Sequence, residues 1–105
     1  MKYRRLGKTG LEVSEIAFGT GDNAGLMMNA PEAERLRSFE RALDLGINYF
    51  DTSPDYGKGR AEQNLGAALK TFARQSKRPL YVCTKVEIMP DDFDDIAGKV
   101  IRCLL

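Results

Sequence analysis

Three short apolar segments, each opening about thirty residues after the last, constrain this chain more than any other feature. Ile16-Ala17-Phe18 is stopped by Gly19, Ile47-Asn48-Tyr49-Phe50 ends at Asp51, and Leu80-Tyr81-Val82-Cys83-Thr84 follows Pro79. Each reads as a strand, and their first residues lie 31 and 33 positions apart. A strand with its crossover helix takes about 30 residues, so this recurrence predicts parallel α/β architecture. The three stretches are not similar in sequence, so the repeat is one of structure only.

The intervening segments carry helical periodicity. From about Pro31 to Leu45, the residues Ala33, Leu36, Phe39 and Leu43 form one apolar face. Asn29 with Glu32 offers a capping-box-like start, and Gly46 a stop. A second helix is predicted from about Ala61 to Ala73, with Ala61, Leu65, Leu69 and Phe72 inward. A third starts near Asp91, with Phe93, Ile96, Ala97, Val100 and Leu104 expected on its inner face. Its acidic first turns, Asp91, Asp92, Asp94 and Asp95, suit the helix dipole. Ahead of all this, residues 2–14 read as a hairpin, with arms Tyr3-Arg4-Arg5-Leu6 and Leu11-Glu12-Val13 around Gly7-Lys8-Thr9-Gly10. The organisation is therefore a hairpin over 1–14 and three βα units over 15–105. The third helix runs into Leu104-Leu105 without a cap, and three parallel strands leave sheet edges unpaired. On those grounds the chain is expected to be the truncated first part of a larger α/β protein, rather than a complete small domain.

Composition narrows the function. Lys+Arg is 16 against Asp+Glu 15, a net charge of +1, which gives no electrostatic reason to expect nucleic acid or a membrane as partner. No apolar run approaches the roughly 18 residues of a membrane span. The basic start, Met1-Lys2-Tyr3-Arg4-Arg5, is not followed by the apolar stretch of a secretory signal. Cys83 and Cys103 fit neither a zinc knuckle nor a CxxC pair, and two lone thiols suit a cytoplasmic location. With no histidine, neither a His-ligated metal nor a His-based nucleophilic mechanism can be built from these residues.

Two motifs are decoys. Gly19-Thr20-Gly21-Asp22-Asn23-Ala24-Gly25 has the glycine spacing of a phosphate loop, but the helix should open within such a motif, and Leu26 to Pro31 intervene. Tyr81 and Lys85 match YxxxK, yet on a strand the two side chains stand roughly 13 Å apart.

A third constellation is stronger. Asp51 ends the second strand and Lys85 the third, so adjacent parallel strands set the two side by side. Such carboxyl ends are where α/β barrels and open sheets hold their sites. A partly desolvated lysine there wants a carboxylate, which Asp51 supplies. Tyr56 follows in a loop turned by Pro54 and Gly57 and can fold back over the pair. An ammonium beside a phenol makes it a better proton donor near neutral pH.

Tyr3 to Ser14, Phe18-Gly19-Thr20-Gly21, Gly46-Ile47-Asn48-Tyr49-Phe50-Asp51-Thr52-Ser53-Pro54-Asp55-Tyr56-Gly57 and Ala61-Glu62-Gln63-Asn64-Leu65-Gly66 together resemble the aldo/keto reductase superfamily. The likeness runs from Met1 to about Lys85. It implies a (β/α)8 TIM barrel closed below by the hairpin, and NADPH-dependent reduction of small aldehydes and ketones without metal. It implies Asp51, Tyr56 and Lys85 as three members of a catalytic tetrad, with Tyr56 the general acid, Lys85 tuning it and Asp51 orienting Lys85. Gly19, Thr20 and Gly21, with Asp51, would lie at the nicotinamide. The tetrad's histidine follows the fourth strand in this family, past Leu105. Such a barrel needs about 250 residues, so these residues alone are expected to be inactive. Two alternatives stay open: a non-catalytic cofactor-binding barrel acting as a sensor or regulatory subunit, as in the potassium-channel beta subunits of the same fold, and a Rossmann dehydrogenase built on Gly19 and Gly21.

Overall fold

The computed structural model describes residues 1–21 and 25–104. Strands β1 (Tyr3–Arg5) and β2 (Glu12–Ser14) pair antiparallel as the expected hairpin, with Arg4 opposite Val13. Strands β3 (Phe18–Gly19), β4 (Tyr49–Asp51) and β5 (Tyr81–Cys83) form a parallel sheet in that spatial order. The recurrence of apolar segments thus predicts the topology, while each strand is shorter than its apolar run. β3 begins two residues late because Ile16 is 60% exposed and bends away from the sheet.

Helix α1 (Leu26–Asn29) is a single turn that the sequence reading leaves as loop. Helices α2 (Glu32–Asp44) and α3 (Arg60–Phe72) match their predicted faces, α3 continuing into a 3-10 turn over Ala73–Gln75. Two details of α2 differ from expectation. Asn29 lies inside α1, so no capping box forms and Pro31 precedes the first turn. Ala33 is exposed, and Ala42, one turn before the helix stop, is buried in its stead.

The core lies between the sheet and these helices. Met27, Phe39, Phe50, Leu65 and Ala68 are fully buried, with Phe18, Leu36, Leu43, Ile47, Leu69, Phe72 and Leu80 packed around them. Phe39 stacks on Phe50 at 4.9 Å between centroids, and Phe18 leans on Phe50 at 5.9 Å. Burying each ring contributes about 2 to 3 kcal/mol, which makes this aromatic group the main anchor of α2 on β3 and β4.

The hairpin attaches to the amino-terminal ends of the strands. Asn48, just ahead of β4, is only 2% exposed. Its side-chain oxygen accepts from the Ser14 amide at 2.7 Å, and its side-chain nitrogen donates to Glu12 O at 3.0 Å and Pro79 O at 3.2 Å. Tyr3 Oη donates to Gly46 O at 2.8 Å, and a Cβ on Gly46 would stand 2.7 Å from that hydroxyl. Gly46 also has φ of 85°, so only glycine both ends α2 and admits Tyr3.

The last segment corrects the sequence reading. A 3-10 turn over Pro90–Asp95 precedes α4 (Ile96–Leu104), where one helix from Asp91 was expected. The face expected inward is not covered: Phe93 is 64% exposed, Ile96 and Ala97 are also exposed, and Val100 is half-buried. The main packing of α4 is against the turn before it, not on the sheet.

Candidate active site

The carboxyl ends of β3, β4 and β5 all point to one side, opposite the hairpin. Asp51 pairs in register with Gly19 on one flank and Cys83 on the other. Lys85 lies two residues beyond the end of β5, and its ammonium reaches back to the middle strand. Lys85 Nζ donates to Asp51 Oδ1 at 2.9 Å, to Asp51 Oδ2 at 3.1 Å and to Thr52 O at 2.9 Å. It stands 4.9 Å from the centroid of the Tyr56 ring. The three residues singled out from the sequence therefore meet at one place.

The Asp51 carboxylate is the main cause that raises the Lys85 pKa above its ordinary value; desolvation opposes it, and the Tyr56 hydroxyl adds to it. The ammonium is thus held charged through the neutral range. Its environment is wetter than the sequence reading supposes: the Lys85 side chain is 46% exposed and that of Asp51 36%. The pair is open to water because nothing among the described residues roofs the strand ends.

Local sequence explains how Tyr56 arrives there. Ser53 O accepts from the Tyr56 amide at 3.1 Å, and Tyr56 O accepts from the Ala61 amide at 3.2 Å, so the loop closes between β4 and α3. Gly57, Lys58 and Gly59 all have positive φ, 61°, 54° and 85°. Such a left-handed run favours glycine, and it reverses the chain within three residues. Met28, from the unpredicted α1, packs under this turn so closely that a Cβ on Gly57 would stand 2.8 Å from its sulfur.

The residues expected at a cofactor occupy the other flank. Gly19 has open space where a side chain would be. Thr20 is 1% exposed, and both its amide and its hydroxyl donate to Asp51 O at 3.0 Å. That hydroxyl is spent on bracing Asp51. At Gly21 a Cβ would come within 3.3 Å of the Tyr56 ring, so the ring lies against that backbone. The rest of the glycine motif, residues 22–24, lies outside the described residues.

Sequence reasoning expects Thr20 at a cofactor but misses its bracing of Asp51, and it misses the roles of Asn48 and Glu62 altogether. Thr20 and Asn48 are polar residues next to or within apolar runs, and their roles depend on partners distant in sequence. Glu62 accepts from Thr84 Oγ1 at 2.5 Å, a contact with no local signal except that α3 begins near the end of β5. The Tyr81–Lys85 match falls on β5 and the segment after it, as the strand reading requires. Cys83 is a free, half-buried thiol. Among the described residues no helix is long and apolar enough to cross a membrane.

The model of the aldo/keto reductase family matches residues 15–104. The chain is 39% identical over 105 residues to L-galactose dehydrogenase of Arabidopsis thaliana, covering 99% of this chain and 32% of that protein. It is 34% identical over 86 residues to a probable voltage-gated potassium channel subunit beta of the same plant, covering 82% of this chain and 25% of that one. Among solved structures, the holo form of the aldo-keto reductase AKR11C1 from Bacillus halodurans superposes with a TM-score of 0.65 at 40% identity, over 82% of this chain and 26% of that one. The chain spans about a third or less of the length of the curated relatives it matches.

Proposed function

This chain belongs to the aldo/keto reductase family, and we propose that it carries the proton-donating side of an oxidoreductase site that reduces aldehydes and ketones to alcohols. The observation that carries this reading is the Lys85 ammonium, bound at 2.9 Å to Asp51 and standing beside the Tyr56 ring. In this reading residues 1–14 and 15–105 are the hairpin and first three βα units of a (β/α)8 barrel in the cytoplasm. The family's histidine belongs to a later unit.

A nicotinamide cofactor, NADPH by family likeness, fits the flank beside Asp51. Gly19 leaves open space there, and Asp51 keeps part of its carboxylate exposed. Gly19, Gly21 and Asp51 would hold that ring, while Thr20, buried behind them, acts through Asp51 alone. When bound, the cofactor supplies a hydride to the carbonyl carbon. Tyr56 gives the proton to the carbonyl oxygen, as a general acid. Lys85 steadies the negative charge left on the phenol oxygen. Asp51 keeps Lys85 charged and aimed, and Thr20 fixes the backbone of Asp51.

The likeness to a potassium channel beta subunit supports a second reading, a regulatory barrel that binds cofactor without turnover. The experiment is NADPH consumption with a generic aldehyde, using the whole barrel. The parent turns over, and Tyr56→Phe lowers the rate by about 100-fold to 10,000-fold, as loss of a general acid does. Parental rates in Tyr56→Phe overturn the acid assignment. A parent that binds NADPH but never consumes it favours the regulatory reading.

A further inference from the structure

Lys85 is anchored at its tip, but its backbone leaves the sheet at Cys83. Among the described residues, the last ladder-like bond of this strand is Cys83 O accepting from the Thr52 amide at 2.8 Å. Beyond it, apart from the bonds of the Lys85 ammonium itself, one side-chain hydrogen bond among the described residues ties the lysine's own stretch to α3. Thr84 Oγ1 donates to Glu62 Oε1 at 2.5 Å. Neighbouring residues in extended chain point to opposite faces. Thr84 therefore reaches outward to α3, while Lys85 reaches inward to Asp51.

The position of Glu62 gives this contact its consequence. Glu62 lies in the first turn of α3. The residue before it, Ala61, is 0% exposed and donates its amide to Tyr56 O at 3.2 Å. The Tyr56 loop and the Lys85 segment are thus both fastened to the same helical turn. A shift of either changes the spacing between phenol and ammonium.

We infer that Glu62 is a positioning residue, which through Thr84 sets the Lys85 ammonium at its distance from Tyr56. This inference rests on the reductase reading above. It touches neither substrate nor cofactor.

The test measures kcat and KM in the whole barrel for Glu62→Ala, Glu62→Gln, Thr84→Val and Thr84→Ser. Misplacing a catalytic group by about 1 Å can cost about 100-fold, and loss of one of several tethers gives a smaller shift and a smaller cost. Glu62→Ala and Thr84→Val are therefore each expected to lower kcat by about 10-fold, with KM and NADPH affinity kept. Glu62→Gln keeps an acceptor oxygen and Thr84→Ser keeps the hydroxyl, so both restore kcat. The double variant Glu62→Ala with Thr84→Val loses no more than either alone, since the two remove one interaction. Should Glu62→Ala prove insoluble, Thr84→Val against Thr84→Ser decides the question from the other partner. Parental kcat in Thr84→Val, or losses that multiply in the double variant, overturn the inference. Tyr56→Phe run alongside separates the two levels: a parental rate there removes the reductase reading itself, whereas a crippled Tyr56→Phe beside an unaffected Thr84→Val removes only the role of Glu62.

Discussion

At the scale of single residues, the ammonium of Lys85 is the hub. It gathers both oxygens of Asp51 and the carbonyl of Thr52. Its pKa is raised, chiefly by Asp51, so the charged form persists below that value and is lost only as pH rises through it. Lys85→Met keeps the aliphatic stem and deletes the charge. It should lower carbonyl reduction in the whole barrel by about 100-fold or more, while cofactor affinity stays near parental. Lys58→Ala is the control: Lys58 has φ of 54°, alanine is no more strained there than lysine, and the rate should hold. The meeting of Asp51 with Lys85 is legible in the sequence because strand ends in a parallel sheet are forced together. The seat of Tyr56 is less so. It needs three consecutive left-handed residues and the bare backbone of Gly21, and glycines in a loop do not announce which ring they admit. The tie between Glu62 and Thr84 depends on side-chain directions that only packing fixes.

At the scale of elements, the hairpin hangs largely on Asn48. Its side chain bonds to Ser14, Glu12 and Pro79, joining the hairpin, β4 and the approach to β5. Asn48→Ala leaves buried donors and acceptors unpaired, at about 1 to 3 kcal/mol for a buried group. We expect a loss of about 3 kcal/mol, seen as a lower denaturation midpoint with the hairpin protons exchanging first. Helix α4 is held differently. Asp95 Oδ1 accepts from the Gly98 amide at 2.9 Å, and Asp95 pairs with Arg102 at 3.1 Å. Asp92 accepts from the Met89 amide at 2.9 Å and pairs with Lys99 at 3.1 Å. These bonds hold both carboxyls below the ordinary carboxylate range, the Arg102 bond leading for Asp95 and the Met89 bond for Asp92. A depressed carboxyl pKa stabilises above its unfolded value, and the benefit goes as pH falls through the folded one. Amide protection in α4, corrected for the intrinsic exchange rate, should therefore fall as the pH drops below the ordinary carboxylate range, ahead of α2 and α3; uniform loss across all helices would refute this. The helices themselves are legible from their periodicity. The burial of the α4 face is not, because amphipathicity states which side is apolar without stating what covers it.

At the scale of the whole molecule, apolar side chains stand uncovered on the sheet and on α4. Ile16, near the start of β3, is 60% exposed, Val82 in the middle of β5 is 46%, and Ile101 on α4 is 56%. Between α2 and the outer side of β3 an open groove of about 350 Å³ is lined by Phe18, Ala42, Leu45 and Ile47, with Arg37 and Arg41 beside it. If residues 1–105 are the opening units of a barrel, as proposed, these are the surfaces that later strands and helices adjoin. The same openness bears on chemistry. The Asp51–Lys85 pair is partly exposed, and in a site open to water a charge is weakened by high dielectric. Such a site also leaves a carbonyl beside Tyr56 exposed to water. The purified 105-residue chain is therefore expected to consume no NADPH with any simple aldehyde and to show no tight NADPH binding in a fluorescence titration. Measurable turnover by that chain would mean that these residues, without further units of a barrel, suffice for catalysis, and the whole-barrel requirement would fall.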